Sequence, residues 1–331
     1  MSLRAGIRAD EQEGFGRPAR RSRPRTKDRP DYSSAEVGTV FTVDRGRYRC
    51  DLGDRIVSAT KARALGRGGV IVGDRVRLVG DTSGSEGTMA RIVEVLPRDT
   101  VLRRTADDDD PYERPVVANA DQLLVVTALT DPPPRPGMID RILVAAYDAG
   151  IAPVLCLTKA DLASPGELID LYGPLDLPIL VTEPEADLTA VREVLAGHRT
   201  VLVGHSGVGK STLVNLLIPG LDRPVGEVNE VTGRGRHTST SAIALRLPSP
   251  GGIVIDTPGV RSFGLSHVTP DAFLRAFSDL APYTEDCPRG CDHSSSAPEC
   301  GLDDAVAVGL VPAARLDSFR RLERAFTTPA T

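Results

Sequence analysis

The residues Gly204-His205-Ser206-Gly207-Val208-Gly209-Lys210-Ser211-Thr212 carry the densest chemistry in the chain. They spell G-x-x-x-x-G-K-S between an apolar run, Thr200–Val203, and a helix-compatible stretch, Thr212–Leu217. In a strand–loop–helix setting this spacing aims successive backbone N–H groups at the α- and β-phosphates of a nucleotide, at the positive end of a helix. Lys210 then reaches the β/γ-phosphates and the Ser211 hydroxyl completes a Mg²⁺ shell. A plain glycine turn before an ordinary helix is the competing reading.

Two further motifs say which nucleotide. Thr158-Lys159-Ala160-Asp161 ends the apolar run Val154–Leu157. The Asp161 carboxylate can accept from the ring N1–H and 2-amino group of guanine, whereas adenine would leave those acceptors unsatisfied. Lys159 can lay its alkyl stem over the base; a helix-capping Asp is the alternative. Downstream, Ile253–Ile255 leads into Asp256-Thr257-Pro258-Gly259, a D-x-x-G in which Asp256 holds Mg²⁺ through water and the Gly259 amide senses the γ-phosphate. In ordinary GTPases the base-reading motif comes last. Here it precedes the phosphate loop, so the chain reads as a circularly permuted GTPase, cut where an exposed connection tolerates it.

Beyond that switch lie Cys287, Cys291, His293 and Cys300, C-x₃-C-x-H-x₆-C. Three thiolates and one imidazole satisfy a closed tetrahedral Zn²⁺ site, structural because no coordination position stays open. Disulfides are the alternative, disfavoured in a chain that shows no signal peptide and reads as cytoplasmic. Cys50 and Cys156 sit in strand-like runs and read as small core residues.

Permuted order, the Cys₃His knuckle and Gly233-Arg234-Gly235-Arg236-His237-Thr238 between phosphate loop and switch together resemble the ribosome small-subunit-dependent GTPase A family, over roughly residues 36 to 326. The resemblance implies an N-terminal OB barrel, a central permuted P-loop GTPase with a mainly parallel sheet, and a C-terminal zinc-binding helical domain. It also implies slow GTP hydrolysis stimulated by the 30S subunit, contact with its 16S rRNA, and a role late in subunit assembly. Thr158 departs from the Asn common at that position, so guanine affinity is expected to be lower. The first two cysteines are also one residue closer than in the family pattern.

The elements that must position these groups are legible as alternations. Val37–Val43, Arg47–Leu52, Arg55–Thr60, Asp74–Val79 and Thr88–Leu96 read as five barrel strands. Gln122–Leu129, Pro153–Leu157, Pro178–Thr182, Thr200–Val203 and Ile253–Ile255 read as parallel strands, with crossover helices at Asp140–Ala149, Glu167–Leu171 and Leu188–Leu195. Val181-Thr182 falls where a second base-contacting loop belongs, though the match is poor. A last helix, Pro312 to Phe326, shows an apolar stripe of Leu316, Phe319, Leu322 and Phe326, with Arg315, Arg320, Arg321 and Arg324 on a basic outer face. Domain boundaries are expected at 1–34 (a basic, disordered tail), 35–98, 99–272 and 273–331.

Net charge is −5, yet residues 1–30 hold nine basic groups against four acidic, and residues 31–77 nine against six. That asymmetry points to a polyanionic partner at one end. Arg45, Arg47, Arg49, Arg55, Lys61, Arg63, Arg67, Arg75 and Arg77 would contact rRNA backbone, with Tyr48 a stacking ring; a solvated barrel face is the alternative. The acidic tract Asp107–Asp110 reads as a solvated loop. No apolar run approaches the ~20 residues of a membrane span, and a monomer is expected.

Val260 stands where many GTPases orient water with Gln, so turnover needs a partner. His237 in the first switch is the candidate for that water, with rRNA contact its alternative role, and Thr238 (or Thr240) is the candidate switch threonine. The leading function is a GTP-timed 30S maturation factor. An RNA chaperone that uses hydrolysis only for recycling is the alternative, and a metabolic P-loop kinase fits Thr158–Asp161 poorly.

Overall fold

The computed structural model describes residues 31–66, 69–104, 114–221, 242–257, 265, 268, 273–274, 277–285 and 287–327 (backbone alone at 326–327). His237, Thr238, Gly259, Arg67 and the tract 107–110 lie outside these. The chain divides into two units, 1–34 and 35–331. In the described part of the first, the Asp31 carboxylate accepts from the Ser33 amide at 2.8 Å.

The second unit begins with a barrel. Strands β1 (Glu36–Asp44), β2 (Arg47–Asp51), β3 (Ile56–Lys61), β4 (Arg75–Gly80) and β5 (Ala90–Val95) follow the order β1-β2-β3-β5-β4 and close through β1–β4. Only β3–β5 is parallel. Closure removes the exposed edges that would invite aggregation. Alternate residues point inward, so Val40, Cys50, Val57, Ala59, Val76 and Ile92 form its core. Burial pushes the Cys50 thiol up to about 12, which leaves it a hydrophobic filler. Tyr48 belongs to the same core at 5% exposure and cannot stack a base, which corrects the sequence expectation. Its place on β2 has the parity of Cys50, and parity decides the face. Arg55, Arg75 and Arg77 pair with Glu36 and Asp54, Asp99, and Glu94. Arg45, Arg47, Arg49 and Arg91 are exposed, and Arg47 and Arg91 flank Thr60 across three strands.

A hairpin follows, β6 (Val101–Arg104) with β7 (Arg114–Ala118), which sequence patterning did not show because each strand is short. Then comes the main sheet: β8 (Gln122–Ala128), β9 (Ala152–Thr158), β10 (Ile179–Val181), β11 (Arg199–Val203), β12 (Ile243–Arg246) and β13 (Ile253–Asp256). Their order is β10-β9-β8-β11-β13-β12, parallel except for β12 against β13. Every residue of β8 is buried, as expected of a central parallel strand covered on both faces. Helices α1 (Pro136–Asp148) and α2 (Gly166–Tyr172) cover one face, α3 (Thr189–Leu195) and α4 (Lys210–Leu217) the other. Cys156 is buried in the second layer. Helix α1 starts four residues before the expected Asp140, because proline is tolerated in a first turn where N–H groups need no partner.

The C-terminal module holds α5 (Gly301–Ala307), which sequence patterning missed, and α6 (Ala313–Thr327). Phe273, Phe277 and Phe319 pack with ring centroids 4.9–5.5 Å apart, fixing the module to α1 through Tyr147. Of the four arginines expected on a basic outer face of α6, only Arg324 is exposed. Arg320 is 7% exposed, Arg315 sits over the Phe277 ring and Arg321 over Tyr172. Long guanidinium stems cover apolar surface, so helical periodicity alone misassigns them.

Two joints hold the barrel to the sheet. Thr42 of β1 pairs with Ile243 of β12, and the Arg246 guanidinium forks onto Asp51 at 2.6 and 2.8 Å. At the second joint, buried Asn119 donates to the Gly73 carbonyl at 2.9 Å and accepts from the Asp99 amide at 2.8 Å. Backbones meet so closely there that a Cβ on Gly73 would lie 1.9 Å from the Ala118 oxygen. Removing the side chain strands the buried Gly73 carbonyl, at a cost of about 1–3 kcal/mol, while the Asp99 amide, at an exposed residue, can turn to water. Asn119→Ala should therefore lower the urea midpoint by the equivalent of at least about 1 kcal/mol, and an unchanged midpoint would show the joint contributes nothing.

Candidate active site and metal centre

Parallel strands deliver their carboxyl ends to one edge, and the phosphate loop and base-reading tetrapeptide both lie there. Gly204 follows β11, and a Cβ on it would sit 2.1 Å from the Val126 oxygen of β8, so only glycine lets the loop turn this close. Gly209 caps α4 at φ +92°. Lys210 Nζ donates to the carbonyls of Gly204 and His205 at 2.6 Å each, which holds the ammonium across the loop mouth. Val208 is buried, Ser206, Ser211 and Thr212 are half-buried, and Gly207 is exposed.

The two motifs are bonded to each other. The Thr158 hydroxyl, 6% exposed at the end of β9, donates to the Val208 carbonyl at 2.7 Å. Its oxygen is 3.3 Å from the Thr127 carbonyl. Lys159 takes a left-handed φ of 60° and donates from Nζ to the Asp131 carbonyl. Thr158 and Lys159 line one cavity with Gly209, Thr212, Leu213 and Leu216 of the loop and α4. The same cavity is lined by Thr182, Glu183 and Pro184 after β10, so the poorly matched segment expected as a second base-contacting loop does lie beside the first. Ala160 is tied to it by its amide, which donates to the Thr182 carbonyl at 3.3 Å. Glu183 and Pro184 were missed: their type gives no signal, and only the position after β10 does. Asp161 is exposed in the turn just beyond, closed by the Leu162 amide on the Lys159 carbonyl at 3.0 Å.

Asp256 ends β13 directly beside Leu202 of β11, two residues before the phosphate loop starts. Thr257 locks that position by donating to the Leu202 carbonyl at 2.9 Å. Lys210, Ser211 and Asp256 thus come from neighbouring strand ends, a set that fits a nucleotide's terminal phosphates with Mg²⁺.

In the C-terminal module, Cys287, Cys291, His293 and Cys300 bring their ligand atoms within 4.8 Å of one another. The His293 Nδ1 lies 3.7, 3.5 and 3.7 Å from the three sulfurs. Ligand bonds of about 2.3 Å (S) and 2.0 Å (N) at tetrahedral angles require S···N edges of about 3.5 Å. The His293 edges match such an ion, and the four donors lie close enough to close around it with small side-chain adjustments. His293 adopts φ 57° and is 6% exposed. The Gly301 amide donates to the Cys287 sulfur at 3.2 Å. Nearby, burial and then the Asp292 charge push the Glu323 carboxyl up to about 7.

Comparison with known proteins agrees with this geometry. The family model described as RsgA GTPase matches residues 95–266. A small ribosomal subunit biogenesis GTPase RsgA of Alcanivorax borkumensis is 40% identical over 264 residues, 76% of this chain and 72% of that relative. One from Pseudomonas aeruginosa is 36% identical over 301 residues, 88% and 86% of the two chains. Among solved structures, YjeQ from Thermotoga maritima superposes with a TM-score of 0.65 at 26% identity, covering 89% of this chain and 99% of its own. YloQ, described as a circularly permuted GTPase, shares the fold with a TM-score of 0.62 at 21% identity, over 90% and 96% of the two chains. Thr158–Asp161 precedes Gly204–Thr212 in sequence and is bonded to it in space, and the chain belongs to the RsgA family of circularly permuted GTPases.

Proposed function

We propose that this GTPase binds the 30S ribosomal subunit through its 16S rRNA and assists its late maturation, with GTP timing docking and hydrolysis timing release. The observation that carries the reading is the Thr158–Val208 bond, which joins base selection to phosphate binding in one site. Lys210 exchanges the carbonyls of Gly204 and His205 for β- and γ-phosphate oxygens of GTP, and keeps the β-phosphate with GDP. Ser211 and Asp256 hold Mg²⁺, Gly204–Thr212 cradle the phosphates, and Thr158 to Asp161 read guanine. His237, Thr238 and Gly259 complete the switches. A structural Zn²⁺ fills the Cys₃His cluster. The working regions are 35–98 (RNA-binding barrel), 99–272 (GTPase) and 273–331 (zinc module), preceded by 1–34, in a cytoplasmic monomer. Among the described residues no helix is long and apolar enough to cross a membrane.

Exposed Arg45, Arg47, Arg49 and Arg91 support phosphate contact by the barrel. With Val260 unable to orient water, intrinsic turnover should be on the order of 10⁻⁴–10⁻³ s⁻¹. Purified 30S subunits should raise it at least about tenfold, and the effect should fade as salt rises. Turnover indifferent to 30S would contradict the partner. A Lys210→Ala protein that still docks on and matures particles would favour an RNA chaperone that needs hydrolysis only for recycling.

Thr158→Val keeps shape and removes the hydroxyl. Losing this bond while leaving the Val208 carbonyl buried costs about 1–2 kcal/mol, or about five- to thirtyfold in affinity. GTP and GDP should weaken equally, because the bond lies at the base end. Calorimetry that finds only GTP weakened would place Thr158 in the switch instead.

A further inference from the structure

We propose that Arg320 is a positioning residue of the Cys₃His metal centre, holding His293 in the conformation that ligates. The inference rests on the metal reading above. Arg320 lies on α6, twenty residues beyond the last cysteine, where nothing in the motif points to it. Its Nε donates to the His293 carbonyl at 2.9 Å. Its two terminal nitrogens grip the Asp303 carboxylate at 2.8 Å each. Asp303 is in the first turn of α5, which starts directly after Cys300. One guanidinium therefore spans the two segments that bring His293 and Cys300 to the ion.

The reason His293 needs holding is local. Its φ of 57° is left-handed, a conformation that costs a residue with a Cβ about 1–2 kcal/mol. Such a conformation persists only where the surroundings over-determine it, and the bond from Arg320 fixes the His293 peptide from the buried side. Charge works the same way. Three thiolates and a divalent ion leave a net −1, and the guanidinium beside it is 7% exposed. The partner carboxylate is 50% exposed, so water screens it while the buried cation acts at full strength.

The neighbouring residue is a built-in control. Arg321 points the other way, to Asp140 of α1 at 3.2 Å and to the Leu171 carbonyl of α2 at 3.2 Å. The two arginines are adjacent, with side chains 9% and 21% exposed, but only the first faces the knuckle.

The test is Zn²⁺ competition against a chromophoric chelator, using full-length wild type, Arg320→Met, Arg320→Lys, Asp303→Asn and Arg321→Met. Groups that orient metal ligands are worth about ten- to a hundredfold in affinity. Arg320→Met should lose that much. Arg320→Lys, which keeps charge but not the fork, should recover part of it, and Asp303→Asn should lose less. Arg321→Met should stay within twofold of wild type while melting earlier. With Co²⁺ in the site, Arg320→Lys should shift the visible ligand-field bands and Arg321→Met should not. Arg320→Met within twofold of wild type would overturn the proposal. So would an equal loss in Arg321→Met, which would mean general loosening of α6. A wild-type protein that takes up no metal would overturn the metal reading itself, a different result from either.

Discussion

The hydrogen bond from Thr158 to Val208 joins chain segments fifty residues apart and in reversed sequence order. It can form only because β9, β8 and β11 run parallel, so their carboxyl ends share one edge. Strand pairing knows nothing of chain order. A circular permutation that opens the sheet elsewhere therefore leaves the base loop beside the phosphate loop. Everything that depends on the nucleotide depends on this register.

The same register reaches outward. Leu202 of β11 pairs with Asp256, Asp256 with Ile243, and Ile243 with Thr42 of the barrel. One strand, β12, thus separates the acidic residue at the site from the barrel, and Arg246 on that strand forks onto buried Asp51. On the other flank, Arg315 and Arg321 of α6 bond to Pro174, Leu171 and Asp140 around α1 and α2. Barrel and C-terminal module are braced on the two sides of the GTPase sheet rather than tethered by loose linkers.

Chemistry was more legible in the sequence than architecture. Motifs such as Gly204–Thr212, Thr158–Asp161 and the cysteine cluster are read from residue type and spacing, and each is assembled by local backbone geometry. Strands with strong period-two or continuous apolar patterns, such as Val37–Val43 and Gln122–Leu129, emerged within a residue or two. What stayed hidden depends on partners remote in the chain. Tyr48 looked like a surface ring until barrel closure fixed its face. Arg315, Arg320 and Arg321 looked like a solvated stripe, because a helix pattern cannot say that Phe277, His293 and Tyr172 wait opposite them. Strand β12 has only four residues, and its pairing on both sides, rather than its composition, makes it a strand.

The central claim is that one pocket reads guanine and holds phosphate. Calorimetric titration with GTP and ATP, at equal Mg²⁺ and ionic strength, tests it most directly. Asp161 is exposed in the empty site, and its acceptors, covered once a base is bound and left unpaired by adenine, should separate the two by at least about tenfold, or about 1.4 kcal/mol. Equal affinities would mean that Asp161 does not face the base, and the account of the site would fail.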